Sequence, residues 1–357
     1  MAPHGSMSCR FVASCILAAY LIFSLSPVAE GKDFWLTQNL ELAGYFAVSS
    51  TFQDAPGNSQ LFPAGEAGLL IGKNFGNWRF FSELQVEREK KSIVDSSGSR
   101  RVFRIERPQK FVFEVERLWL QYSFPQAMSL RAGQLLTSFG LWNPQHFPAI
   151  INTVNRPRST KTLYPEHVLG GELHKEINLF NQPTSLIFYG GDPSEPDIRS
   201  PSHSLGNGAL GGYANMRMIK NFPGNFGVSG EYLFSHPAWG DVFILGSDVK
   251  ATLGRLSLQA EYFRVVTRTK NTLSTRTPQG HYIQGIWHLN QHWGLLYQWD
   301  QILAGYSDDY PKTPETQTIH TFGLLFTPKP WLRLKTDWEK HEGFSEWDFE
   351  LSFYFSS

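Results

Sequence analysis

From about residue 39 to the C-terminus, apolar and polar residues alternate in stretches of roughly ten, the length of a membrane-crossing strand. In the last stretch Trp347, Phe349, Leu351, Phe353 and Phe355 share one face, while Asp348, Glu350 and Ser352 share the other. One stretch earlier, Leu332, Leu334 and Trp338 oppose Arg333, Lys335, Asp337 and Glu339. The same split separates Trp293, Leu295, Tyr297 and Trp299 from His292, Gln298 and Asp300, and Leu256, Leu258, Ala260 and Tyr262 from Ser257, Gln259 and Glu261. Side chains alternate between the faces of a strand, so each stretch predicts a strand with one apolar and one charged face.

The connections carry a second rhythm. Short turns are expected at Asn74-Phe75-Gly76-Asn77, Pro125-Gln126-Ala127, Phe180-Asn181-Gln182, Asn221-Phe222-Pro223-Gly224, Leu253-Gly254, Asn290-Gln291 and Pro328-Lys329-Pro330. They alternate with longer or more polar connections beginning near Ser50, Glu87, Ser138, Gly191, His236, Arg268, Gly305 and His341. Short turns at one end and long loops at the other are what a transmembrane β-barrel requires, the short ones periplasmic and the long ones outside. The fold expected is therefore all-β, a transmembrane antiparallel barrel of about 16 strands, wide enough for an aqueous lumen. Strands are placed near 39, 66, 77, 112, 128, 167, 183, 209, 225, 242, 255, 280, 291, 316, 331 and 346. A charge facing lipid at mid-membrane costs about 2–4 kcal/mol, so the charged faces must look inward onto water. A soluble sandwich or propeller would have to bury both faces, and the second faces are too charged for that.

Only Phe11 to Leu25 is continuously apolar. Arg10 precedes it and Ser26-Pro27-Val28-Ala29-Glu30-Gly31 follows, the layout of a secretory signal cleaved before Lys32. An uncleaved anchor would need about 20 apolar residues. The expected organisation is a signal peptide at 1–31 and one barrel over 32–357. Both cysteines, Cys9 and Cys15, fall in the leader, so the mature chain carries no disulfide or thiolate metal site. The formal net charge is zero with 15% aromatic residues, a mixture expected of a barrel and without the basic excess that signals nucleic-acid binding.

The segment from Ser129 to Glu166 is the most specific. Leu130-Arg131-Ala132-Gly133-Gln134-Leu135 runs into Ser138-Phe139-Gly140-Leu141-Trp142-Asn143-Pro144-Gln145-His146, then Asn155-Arg156-Pro157-Arg158, before a strand resumes at His167. It is the longest loop and the third outer one. Its apolar groups, among them Phe139, Leu141, Trp142, Phe147, Ile150 and Ile151, suit neither lipid contact nor free solvation. Folding inward against the wall would bury them and narrow the lumen, where irregular backbone is tolerated. A cap packed on neighbouring outer loops is the alternative.

On Arg131-Ala132-Gly133, Phe139-Gly140-Leu141-Trp142-Asn143 and Arg156-Pro157 the chain resembles bacterial outer-membrane porins, most nearly the phosphate-selective porin-like group. The terminal Phe353-Tyr354-Phe355 resembles the signal read by the barrel-assembly machinery, although Ser356-Ser357 follow it. The resemblance implies an outer-membrane channel for passive diffusion of small hydrophilic solutes, often a homotrimer, with no cofactor and no catalysis. Rival readings are a barrel hydrolase acting on lipids and an adhesin or structural barrel with a blocked lumen.

Charge at the constriction follows from parity. Arg79, Arg117 and Arg131 are expected on the lumen faces of three successive strands. For Arg117 this has Leu118, Leu120 and Tyr122 facing lipid and leaves Glu114 and Glu116 pointing outward near the upper rim. The inserted loop adds Arg156, Arg158 and Lys161, with Trp142 and His146 as further lining residues. Arginine and lysine rings favour anions. Glu231, Asp248, Glu261, Asp300, Asp337 and Glu339 face them from later strands, diluted by Lys250, Arg333 and Lys335, so the expected anion preference is weak. The second outer loop, Glu87 to Lys110, has eight basic residues against four acids and is expected as a solvated loop, with lipopolysaccharide phosphates or the anion entrance as alternatives.

Other signals carry less. Gly206-Asn207-Gly208-Ala209-Leu210-Gly211 matches a dinucleotide fingerprint but leads into a strand rather than a helix. His288 and His292 flank a strand turn and would diverge. Asp308-Asp309 with Glu315 reads as a hydrated loop before a calcium site. No catalytic triad is placed by a recognisable motif.

Overall fold

The computed structural model describes residues 40–55, 58–88, 91–95, 102–106, 111–145, 147–161, 164–194, 208–217, 223–236, 240–268, 278–305 and 315–356. The expected leader and its junction lie outside them. The chain forms β1 (Leu40–Ala55), β2 (Asn58–Phe75), β3 (Trp78–Arg88), β4 (Lys91–Asp95), β5 (Val102–Glu106), β6 (Phe111–Phe124), β7 (Met128–Leu136), β8 (His167–Leu179) and β9 (Gln182–Ser194). It continues with β10 (Gly208–Arg217), β11 (Gly224–His236), β12 (Gly240–Leu253), β13 (Leu256–Arg268), β14 (Gln279–His288), β15 (Trp293–Gly305), β16 (Glu315–Lys329), β17 (Leu332–Lys340) and β18 (Ser345–Ser356). All but β4 and β5 form one closed barrel of sixteen strands, each antiparallel to its sequence neighbour. β1 closes on β18 in a register running from Ala43↔Ser356 to Asp54↔Ser345, which leaves no free edge.

The expected strands are all present, and the faces sort as the alternation requires. Trp347 and Phe349 stand exposed on the outside of β18, while Asp348, Glu350 and Ser352 are buried within. Exposed aromatic residues, including Phe75, Trp78, Phe124, Trp287, Trp293 and Trp331, gather at the short-turn end as a membrane-interface girdle would. The turns are tight because their residues accept positive φ: Gly76 at 61°, Phe180 at 52° and Asn181 at 62°. Those are the backbone angles that let a two-residue hairpin follow the strand twist.

Three expectations needed correction. The first outer connection does not begin near Ser50, because β1 and β2 continue as a paired ribbon to Ala55↔Asn58. Pro63 lies beyond the last β2–β3 pair, Gly65↔Arg88, where among the described residues β2 pairs with β1 alone, an edge position of the kind proline tolerates. The connection near His236 is likewise only residues 237–239. The second outer loop is not without structure, since β4 and β5 pair as a separate hairpin from Lys91↔Glu106 to Asp95↔Val102.

The third correction concerns the upper half of β6. Pairing with β3 jumps from Glu83↔Arg117 to Leu84↔Val115, so Glu116 is the extra residue of a β-bulge. Beyond the bulge the parity reverses. Phe111 and Phe113 point outward and Glu114 and Glu116 are buried inside, opposite to the outward placement expected from unbroken alternation.

Candidate functional site

The long connection after β7 does not cap the barrel; it crosses the lumen. Its stem is closed by Thr137 N donating to Glu166 O at 2.9 Å. Asn143 Nδ2 reinforces that closure, lying 2.9 Å from Thr137 O, 2.8 Å from Thr137 Oγ1 and 2.8 Å from Glu166 O. Phe139 is fully buried between Tyr164 and Phe263, with ring centroids 4.7 and 5.6 Å away, over a lumenal apolar patch of Leu233, Val242, Ile244 and Val265. Gly140 turns the chain at φ +66°, and a Cβ there would overlap Glu261 Oε2. Glycine is thus favoured twice, for the left-handed backbone and because a Cβ would push Glu261 Oε2 aside.

Several acids of the far wall serve this loop, while Asp248 accepts instead from the Tyr213 hydroxyl of the wall at 3.2 Å. Glu261 accepts from Leu141 N at 2.9 Å and from the Tyr282 hydroxyl at 2.6 Å. Asp300 accepts from Arg158 N at 2.6 Å, Asp337 from Val154 N at 2.5 Å, and Asp348 from Asn155 Nδ2 at 2.9 Å. Lys335 Nζ is 2.8 Å from Glu350 and donates to the loop carbonyls of Pro148 and Thr153, both at 2.9 Å. Arg333 donates to Ile151 O at 2.9 Å. Buried charges are tolerable only when hydrogen-bonded, and the loop backbone supplies those partners.

Across the lumen, β3, β6 and β7 present three arginines alongside the buried Glu83, Glu114 and Glu116. Arg79, Arg117 and Arg131 line one cleft of about 210 Å³, together with Phe81, Trp119, Glu172, Ser138 and Pro144. Arg79 and Arg131 lie in one register row, both opposite Gln121. Each arginine has a carboxylate: Arg79 with Glu41 at 2.6 Å, Arg117 with Glu83 at 2.6 Å and Arg131 with Glu172 at 2.9 Å. Exposure separates the members of these pairs. The Arg117 and Arg131 side chains are 18% and 32% exposed, but Glu83 and Glu172 only 0% and 3%. The guanidinium groups of Arg117 and Arg131 are therefore the more accessible member of each pair, although Glu172 also lines the cleft. Arg79 and Glu41 are both open to solvent, at 39% and 51%. Arg117 also stacks 5.1 Å from Phe81 and from Phe147 of the loop, and Arg131 lies 4.8 Å from Trp119.

The other anticipated residues are not part of that group. Arg156 is spent inside the loop, donating to Glu166 at 2.6 Å and to Thr160 O at 2.7 Å. Burial disfavours its charge, but Glu166, Tyr164 and Glu261 together more than offset that and hold its pKa up. Arg158 reaches Gln317 at 3.2 Å on the opposite side of the barrel. Trp142 is buried, its ring 6.5 Å from Tyr282. His146, the Lys161 side chain and Asp308-Asp309 lie outside the described residues. Gly208 to Gly211 sit in β10, so no helix follows that glycine pattern. His288 and His292 engage separate partners, Ser257 and Thr327 O.

Sequence reasoning did not pick out the lumenal apolar patch or the role of Asn143. The patch was legible as apolar residues on inward positions of β11 to β13. Asn143 gave no signal of its own, because its three acceptors are brought together only by the closed stem.

No protein-family model matches the chain. An Aquifex aeolicus protein described only as uncharacterized is 23% identical over 365 residues, covering 89% of this chain and 79% of that one. Among solved structures, the high-pH form of Pseudomonas putida OprB superposes with a TM-score of 0.61 at 9% identity, over 90% of this chain and 95% of that one. The anion-selective porin of Comamonas acidovorans gives 0.59 at 10% identity, over 89% and 99%. The outer membrane channel DcaP of Acinetobacter baumannii gives 0.59 at 12%, over 88% and 97%. The fold is that of a porin-like outer-membrane barrel. Such a barrel explains the apolar exterior, since lipid solvates what water would not.

Proposed function

We propose that this barrel is a passive outer-membrane channel for small hydrophilic solutes, with a weak preference for anions and no catalytic step. The observation that carries the reading is the asymmetry of the lumen. Glu261, Asp300, Asp337 and Asp348 on the far wall accept hydrogen bonds from the crossing loop, whereas the guanidinium groups of Arg79, Arg117 and Arg131 border the open cleft. Because each arginine keeps a carboxylate partner, the preference is weak rather than that of a dedicated phosphate site. The likeness to the phosphate-selective group rests mostly on residues that seat the loop, Gly140, Asn143 and Arg156 among them, with only Arg131 in the cleft, and so speaks to architecture before solute.

The porin named from Comamonas is anion-selective, and one solved form of OmpT from Vibrio cholerae is a trimer. We take this chain likewise to assemble as a homotrimer in outer-membrane lipid and lipopolysaccharide, inserted by the barrel-assembly machinery through Phe353-Tyr354-Phe355. The test is the reversal potential of the refolded chain in a planar bilayer under a KCl gradient. Chloride should permeate better than potassium, and R79Q/R117Q/R131Q should bring the ratio to unity or below. Better cation permeation by the unaltered protein would reject the assignment.

A further inference from the structure

At the end of the barrel that carries the long connections, β17 and β18 are joined by His341 to Phe344. Glu339 at the top of β17, His341 in the turn and Glu346 at the start of β18 converge there. Their ligand atoms all lie within 4.8 Å of one another. His341 Nε2 is 3.1 Å from Glu339 Oε2 and 3.8 Å from Glu346 Oε2. We propose that these three residues form a divalent transition-metal site, with zinc its best-fitting ion.

Geometry supports this first. Zinc holds nitrogen and carboxylate oxygen at about 2.0–2.2 Å, so neighbouring ligand atoms of a tetrahedral site are about 3.3 Å apart. The two separations from His341 Nε2 bracket that value, and the glutamate oxygens lie within 4.8 Å of each other, so a movement of about an ångström by the Glu346 carboxylate would complete three corners. The fourth corner is left to water or another ligand. Imidazole with carboxylate oxygens suits zinc better than magnesium or calcium, which prefer oxygen alone.

The surroundings are an independent observation. Each glutamate is held by its other oxygen. Asn155 Nδ2 donates to Glu339 Oε1 at 3.1 Å, and Gln53 Nε2 donates to Glu346 Oε1 at 3.2 Å. Both Oε2 atoms are thereby turned toward the imidazole. The ring itself is fixed by stacking on Phe344, with centroids 4.3 Å apart and planes 9° from parallel, and by His341 N donating to Phe344 O at 3.1 Å. Outer partners that orient each ligand are what a metal site needs in order to bind without rearrangement. Spacing along the chain hid the group, because Glu346 joins it only through the β17–β18 hairpin. Asn155 belongs to the crossing loop, so a bound metal would also stiffen the loop against the wall.

The experiment is isothermal titration of ZnCl2 into the refolded full-length mature chain in detergent micelles, with H341A and E346Q alongside. Folding of each is verified by its heat-modifiable migration. One zinc per chain is expected, with affinity at least tenfold weaker in both variants. E346Q changes no volume and decides the matter if H341A does not fold. Absence of zinc binding by the unaltered chain, or equal binding by a folded variant, would overturn the site and leave His341 as a hydrogen-bond partner of Glu339.

Discussion

Gly140→Ala should loosen the crossing loop without disturbing the barrel wall. Two costs follow from the position. An L-residue in the left-handed region at φ +66° costs about 1–2 kcal/mol. The new Cβ also displaces Glu261 Oε2, the acceptor for Leu141 N, and a hydrogen bond to a charged group contributes about 1.5–3 kcal/mol. Together they lower the seated-to-unseated ratio by about 3–5 kcal/mol, between two and four powers of ten. Trypsin should then cut after Arg158 or Lys161 in the folded barrel, and single-channel current should become larger and noisier. Gly76→Ala is the control, since Gly76 has a similar φ of +61° but nothing within 4 Å of the added carbon. If Gly140→Ala matched Gly76→Ala in proteolysis and conductance, the glycine would not be holding the loop in place.

Two further outcomes test the seat from other directions. Asn143→Ala removes the donor that ties Thr137 to Glu166 and should destabilise the loop stem by about 1–3 kcal/mol, read as earlier tryptic cleavage at the same sites while the barrel still migrates as folded. Lys335→Met deletes the cation shared by Glu350, Pro148 O and Thr153 O; breaking a buried pair from one side costs about 3–5 kcal/mol, so the urea midpoint for unfolding in micelles should fall clearly.

Legibility varied with the range of the interaction. Arg79, Arg117 and Arg131 could be placed on the lumen wall because parity along a strand is local. The same reasoning misplaced Glu114 and Glu116, since a bulge at Glu116 resets the parity. That reset was visible in hindsight, as Phe111 and Phe113 are out of phase with Leu118 and Leu120. Arg156 carried the right charge for a constriction but found Glu166 and Thr160 O within its own loop, a choice that depends on how the loop coils.

The sequence by itself determined the strands, their two faces and a barrel of about sixteen strands, and it left the aromatic loop either folded inward or packed as a cap. Lipid and water impose an alternation that each strand must obey alone, so a one-dimensional pattern suffices. Only the tertiary structure decided which acids would be occupied by the loop backbone, which arginines would border the cleft, and that Glu339, His341 and Glu346 would meet. Those outcomes depend on groups far apart in the chain reaching hydrogen-bond distance across a closed lumen, and no local periodicity encodes that distance.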